Sequence, residues 1–594
     1  MRAIKTKYLW AGTLLSSSLA LSGCGNGSNV TSPPITDPAN PVAPGDTAAP
    51  VETVCAPDTP INIGLGGATQ NNIQIDNPWI VNGSGQQLGY NRLTLEPLAI
   101  LNRLDTSDIT PWLAEELNWN GDYTAIDIKA RPGVTWSDGT PFTAEDIAYT
   151  FEVMRDTEVD GVFPLDTSRL IGNVTVNGDV AHIDFNGPRL TGFQNVLNVR
   201  PLQKEYLETI PDVMTNPMVG MPVTGPYEVT GFTPTGVTLT ARDGYWGGNG
   251  QNPSAPAARQ VNFVPYAENS ALESALQAGT ITWSQSPLTN PSSFINSDPA
   301  HHIWWTTSDL TIEVMYLNVN EPPFDDVVFR RAANLAIDRE VWRNITFNGE
   351  GELLHSATGL LDRAGESFLN PALRDATVDF DVPKAQQMLI DAGYHNVGVP
   401  GELQYPNGDP VNLVVTAPSN WNDYLSSAQF VVSSLRSNLG ANATLDAADS
   451  SVWAETRGQG DFNAAQTIAG AIAPGPYWLY FTMLSQPGMS GFQERGTIGT
   501  ANLGRFINQD VSDAFNVLNN SPSATARQEA LNTIQQVMVD YSPHLLLGGR
   551  PIFQAFNTSC FVNWPSDTNP YAAGQVLDAG SALMVLTSIE KRTQ

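Results

Sequence analysis

From about residue 60 to 590, apolar positions repeat with helical and with strand period in irregular alternation, without a fixed repeat. Ile126, Ile128 and Ala130 alternate with Asp127, Lys129 and Arg131, which predicts a strand with one buried face. Thr143 to Asp146 opens a capped helix with Ile147, Phe151 and Met154 on one side. Asp325 and Asp326 precede a second helix, carrying Val328, Ala332, Leu335 and Ala336. Lys384 to Ala392 buries Ala385, Met388 and Leu389 and stops at Gly393. Val411, Leu413 and Val415 predict a strand. Tyr424 to Leu439 predicts a helix with Ala428, Val431, Leu435 and Leu439 on one side, ended by Gly440, and Arg527 to Val539 predicts another. Helices and strands mixed over so long a chain mean an α/β or α+β protein with more than one lobe.

The N-terminus reads as an address. Arg2, Lys5 and Lys7 precede the apolar run Tyr8 to Leu21, followed by Ser22, Gly23 and Cys24. A basic start, a short apolar run and a small-residue cleavage site describe a signal peptide over 1–23. Leu21 to Cys24 resembles the lipobox of bacterial lipoproteins, which implies lipid attachment at Cys24; ordinary secretion is the alternative. Residues 24–54, rich in Gly, Asn, Ser, Thr and Pro, read as a flexible linker. The other two cysteines, Cys55 and Cys560, suggest a disulfide in an exported protein, against two unrelated buried thiols.

Composition narrows the function. The 594 residues hold 60 acidic and 29 basic side chains, a net charge of −31, which with no basic cluster argues against nucleic acid as a partner. The charge itself reads as adaptation to a salty habitat, where repulsion is screened. The one apolar segment, at the N-terminus, is too short to be an ordinary membrane span, and there is no second one. No nucleophile elbow, zinc-protease or phosphate-loop motif occurs, so no catalytic residue, metal or cofactor is expected. His301 and His302 point to opposite faces of a strand, which makes a shared ion awkward. Glu115 with Glu116, and Asp325 with Asp326, read as charges near helix starts. A glycosidase with two carboxylates across a cleft stays open as an alternative.

Several blocks then fall in an informative order. Pro111 to Glu115, Arg131 to Asp146, Val223 to Tyr227, Arg242 to Gly247, Ala275 to Gly279, Asn318 to Asp326, Arg331 to Arg339 and Lys384 to Tyr394 resemble family 5 extracytoplasmic solute-binding proteins of ABC importers. Within them Ser137 to Pro141 is a turn in which Asp138 can bond the backbone and Gly139 can take positive φ. The resemblance implies an α/β bilobal clamp, the type II periplasmic-binding form with an inserted subdomain. Lobe I would comprise 55–98, 222–308 and 546–594, the inserted subdomain 99–221, and lobe II 309–545. It implies a monomer that closes on ligand in the interlobe cleft, delivers it to permease subunits, and meets the membrane only through its lipid.

The same resemblance bears on the ligand. A peptide's buried ammonium needs a carboxylate, yet Phe462 to Gln493 contains no Asp, Glu, Lys, Arg or His. A sugar needs flat aromatic faces and amides, which Trp421, Asn422, Tyr477, Trp478 and Asn502 supply. Pro418 to Tyr424, Asn502 to Phe506, and Asn563 to Tyr571 with its Trp564 are similar to segments of the family's oligosaccharide-binding branch, and Asn77 and Trp79 would face the same cleft. The expectation is a neutral β-linked oligosaccharide such as a cello-, xylo-, laminari- or chito-oligomer, with an oligopeptide as the alternative. Some of these Trp residues can equally be core. Ile281 to Trp283 departs from the family's Ile-Asp step, so no ligand contact is carried over there.

Overall fold

A mixed sheet forms the spine of the protein. The computed structural model describes residues 55–592 apart from 57, 69–72, 81–82, 105–107, 158–169, 248–254, 364, 471–474 and 490. The expected signal peptide, Cys24 and the linker lie outside the described residues. Among those described, ten strands pair in the order Asn442–Ala448, Asn412–Pro418, Ala464–Ala469, His302–Leu317, His544–Asn557, Trp283–Ser284, Ile61–Gly66, Gln260–Tyr266, Gly236–Ala241 and Tyr227–Thr233. Ile61–Gly66 runs parallel to Gln260–Tyr266 with Ile61 opposite Val261. Its Ile61 and Ile63 are fully buried on one face.

Two long antiparallel strands, His302–Leu317 and His544–Asn557, connect the two halves. His302 lies opposite Asn557 at one end and Tyr316 opposite His544 at the other. Near the first end Trp283–Ser284 joins the sheet; at the second, Ala464–Ala469 does. The register breaks between Ser308 and Ile312, opposite Pro551 and Gly549. Such a bulge bends a strand and re-aims its side chains.

Hydrophobic cores lie on both sides of this crossing. One joins Ile63, Trp283 and Phe556 to Ile126, Ile128 and Phe151 beneath the four-stranded sheet that contains Ala125–Ala130. A small satellite gathers Leu272, Leu276 and Phe294. Beyond the crossing, Val314 and Tyr316 enter one core with Trp478 and Phe515, while Met315 and Leu317 enter another with Phe329 and Trp342. Alternation along the strand thus sends successive residues into different cores.

The local chemistry explains the element ends. The Asp146 carboxylate accepts the Thr143 N–H at 2.8 Å at the start of helix Ala144–Thr157. Asp326 caps helix Val327–Leu335 by accepting the Val328 N–H at 2.8 Å. Helix Asn422–Ser434 runs into a wider turn, Leu435–Leu439, and ends at Gly440, whose φ is 88°. A β-carbon there would lie 2.6 Å from the Val399 carbonyl oxygen, so only glycine fits. Glu115 and Glu116 depart from the sequence reading. They sit on strand Ala114–Trp119 rather than at a helix start, and Glu115 pairs with Lys129 of the neighbouring strand at 2.7 Å. A disulfide joins Cys55 to Cys560, with Cα atoms 5.5 Å apart. No helix among the described residues is long and apolar enough to cross a membrane.

Candidate ligand cleft

The bulge in the long strand pair opens onto a cavity of about 530 Å³. Asp309, Thr311 and Arg550 reach it from the crossing strands, and Trp478 and Phe481 from helix Tyr477–Leu484. Arg92, Arg200 and Asp578 face it from the other half of the molecule. A second cavity of about 210 Å³ shares Arg550 and Leu577 with the first and is lined by Trp421, Tyr424, Asn269, Gln285 and Ser286. Together they form one cleft between the cores.

The wall built by Tyr477–Leu484 is mostly apolar and mostly buried, with Thr482 its one small polar side chain. Trp478 is 7% exposed, and its indole N–H is buried without a partner. Phe481 packs edge-on against it with ring centres 5.0 Å apart. This wall offers an aromatic surface and no charge.

The opposite wall is charged. Arg103 holds Asp309 at 2.7 Å, both side chains nearly buried. Asp578 caps helix Ala579–Ser588 by accepting the Ser581 N–H at 2.8 Å, and it faces Arg92 and Arg200. Burial pushes Arg92 down to about 10, against the pull of Asp578. Burial also pushes Arg200 down to about 9, with repulsion from Arg92 adding and Asp578 opposing.

Arg550 anchors the floor where the cavities meet. It donates to Glu313 through Nη1 and to Asp423 through Nη2, the latter at 2.9 Å, and lies over the Tyr424 ring at 5.4 Å. Glu313 also accepts from Gln466, whose carbonyl accepts the Ser427 hydroxyl at 2.9 Å. Ser427 in turn accepts the Trp342 indole N–H at 2.8 Å. Burial pushes Glu313 up to about 7 while Arg550 pulls it down. For Arg550 burial works downward, and the two carboxylates together outweigh it and raise the guanidinium.

Across the smaller cavity the loop after Ile61–Gly66 reaches Trp421. Gly67 has φ of 68°, and a β-carbon there would lie 2.6 Å from the indole nitrogen. Trp421 is itself propped by Tyr424 and Trp453, with ring centres 5.3 and 5.5 Å away.

Of the residues singled out in the sequence, Trp421 and Trp478 line the two cavities. Tyr477 lies half-buried against Phe515 on the same helix as Trp478, and Asn422 is exposed at the start of its helix. The others sit in loops and cores, outside the set of residues that line the two cavities. Asn77 donates to the Val213 and Asn216 carbonyls at 2.7 Å and accepts the Trp79 N–H at 2.8 Å, so its amide is fully engaged in a loop. Trp79 packs in the first core. Asn502 donates to the Ser485 and Phe506 carbonyls and accepts the Phe506 N–H. Trp564 is stacked on Phe556 at 4.7 Å and donates to the Phe561 carbonyl. Trp283 is fully buried and donates to Gln554 and the Gly574 carbonyl. His301 pairs with Asp298, and His302 stacks on Phe294.

Sequence reasoning missed Arg92, Arg103, Arg200 and Arg550. Arg550 left a signal: it is the one Arg, Lys, Asp or Glu in the buried run His544–Asn557, and a lone charge in a buried strand needs a partner or a purpose.

Comparison with known proteins places this geometry. The profile of bacterial extracellular solute-binding proteins, family 5 (middle), matches residues 108–491. Heme-binding protein A of Haemophilus influenzae is 26% identical over 341 residues, covering 53% of this chain and 58% of the relative. Oligopeptide-binding protein AppA of Bacillus subtilis is 26% identical over 311 residues, covering 49% and 52%. The chain thus spans about half the length of the curated relatives it matches. Among solved structures, a mannohexaose-bound periplasmic oligopeptide-binding protein of Thermotoga maritima superimposes with a TM-score of 0.77 at 21% identity, covering 91% of this chain and 100% of that one. AppA of Bacillus subtilis in complex with a nonapeptide gives 0.70 at 17% identity, covering 90% and 99%. The fold is the α/β bilobal clamp of type II periplasmic-binding proteins. The chain belongs to family 5 of the bacterial extracellular solute-binding proteins.

Proposed function

We propose that the protein captures a β-linked oligosaccharide in this cleft and delivers it to an ABC importer. One observation carries the reading. Trp421 and Trp478 stand in the two adjoining cavities, while among the described residues each carboxylate lining them already faces an arginine: Asp309 by Arg103, Asp423 by Arg550, and Asp578 by Arg92 and Arg200. A peptide's ammonium would find no free counter-charge, whereas the C–H faces of a sugar chain suit aromatic walls. Asn269, Gln285 and Ser286 are at hand for hydroxyls. The mannohexaose-bound neighbour supports the same class. An oligopeptide is the second reading, supported by relatives with peptide-binding names.

In this reading lobe I (55–98, 222–308 and 546–594) with the inserted subdomain 99–221 closes against lobe II (309–545), and the long strand pair is the hinge. Cys24 carries the lipid that keeps the monomer on the extracytoplasmic side of the membrane, and no bond in the ligand is cleaved. A thermal-shift screen of cello-, xylo-, laminari- and chito-oligomers against di- to pentapeptides tests it. Stabilisation by sugars is expected. Stabilisation by peptides alone would overturn the reading, and cleavage products proportional to protein would replace it with a glycosidase.

A further inference from the structure

The arginines of the larger cavity are unequally matched. Arg103 has Asp309, and Arg550 has both Glu313 and Asp423. Arg92 and Arg200 repel one another, and the single carboxylate Asp578 stands against both while also capping a helix. Arg92 gives one N–H to the Gln86 carbonyl at 2.9 Å. Arg200 keeps its buried Nε without a partner. Asn195, Asn198 and Gln575 complete this corner with neutral amides. Two like charges lining one largely desolvated pocket are unfavourable in the empty protein, and an anion bound by both removes the repulsion.

We infer that Arg92 and Arg200 form an anion subsite, and that the captured oligosaccharide carries an acidic group there, a uronate carboxylate or a sulfate ester. The inference rests on the sugar reading of the cleft and replaces an all-neutral chain with one bearing a charge. Guanidinium is the appropriate group, because its planar fork donates two parallel hydrogen bonds to either anion. The overall charge of −31 does not forbid this. Exposed charges are screened beyond about 8 Å at physiological ionic strength, whereas a buried contact is screened much less.

Calorimetric titration of the full chain tests the subsite. The probes are a xylo-oligosaccharide, the same backbone with one glucuronic acid branch, the same backbone with one sulfate ester, and a tetrapeptide with a free or an amidated C-terminus. One acidic sugar should bind about tenfold to a hundredfold tighter than the neutral oligomer, and which one identifies the acid. Arg200→Gln should erase that margin, so that the acidic and the neutral oligomer bind the variant alike. The ligand-free variant should melt no lower than the wild type, since the substitution relieves the repulsion from Arg92. Equal affinity for neutral and acidic sugars would overturn the subsite and leave the sugar reading standing. Binding of the free-acid tetrapeptide alone, lost in Arg200→Gln, would overturn the sugar class and keep the anion contact.

Discussion

Arg550 offers a sharp test of how the cleft floor is held. Replacing it with Met keeps much of the stem volume and leaves Glu313 and Asp423, 1% and 5% exposed, facing each other without a cation. Breaking a buried pair from one side costs about 3–5 kcal/mol. The cost must depend on pH, because a stranded carboxylate can escape by taking a proton. Burial already holds Glu313 near 7 with Arg550 present, above its unfolded value of 4.5; without Arg550 it rises further. A folded pKa above the unfolded one means that the native state binds more protons between the two values. Stability is therefore retained at low pH and lost as pH rises, by about 1.4 kcal/mol for each pH unit that separates the two values. Urea denaturation of Arg550→Met should show a loss of about 3–5 kcal/mol at pH 8 that shrinks to roughly 1 kcal/mol at pH 5. Adding Glu313→Gln and Asp423→Asn removes the stranded charges and should recover most of the loss and flatten its pH dependence. A single variant that loses under about 1 kcal/mol at pH 8, or loses equally at both pH values, would refute this account of the floor.

Other consequences follow from single side chains. Trp478→Ala should weaken oligosaccharide binding by about 1–3 kcal/mol in calorimetry while the other walls of the cleft remain. Burial, with Arg330 adding to it, pushes His544 down to about 3 from 6.5, so the unfolded chain takes up its proton first as pH falls below 6.5. His544→Leu should make the melting curve less acid-sensitive, by about 2 kcal/mol between pH 6.5 and 5. Gly67→Ala should displace Trp421 and lower ligand affinity below that of the wild type in the same titration. Cys24→Ala should yield a protein that no longer fractionates with membranes; persistence there would refute lipid attachment at that residue.

Much of the scaffold was legible because its signals are local. The alternation at Ile126 and Ile128 and the cap at Asp326 each depend on neighbours within a few residues. The cleft was legible only in part. An indole stacked in a core, such as Trp564, and one lining a cavity, such as Trp478, have the same composition and the same apolar surroundings in sequence. Asn77 looked like a sugar-reading amide, but its three partners include carbonyls 136 and 139 residues away, which no local pattern reveals. The bulge that aims Asp309 and Arg550 into the cavity depends on pairing between strands more than 200 residues apart.

Completeness of hydrogen bonding separates scaffold from site here better than residue type does. Asn77 and Asn502 have both ends of their amides engaged, and each secures a turn. Arg550, with two carboxylates and an aromatic face, ties the crossing strands to helix Asn422–Ser434. A ligand could not recruit it without first breaking that network, so its part is to hold the floor. Arg200 and the Trp478 indole are the reverse case, each with one buried N–H that finds no acceptor, and both line one cavity from opposite walls. A closed clamp is favoured only by contacts that the open form cannot make. A ligand that touches the aromatic wall and the arginine wall at once makes such contacts, and it thereby couples what is bound to whether the lobes close.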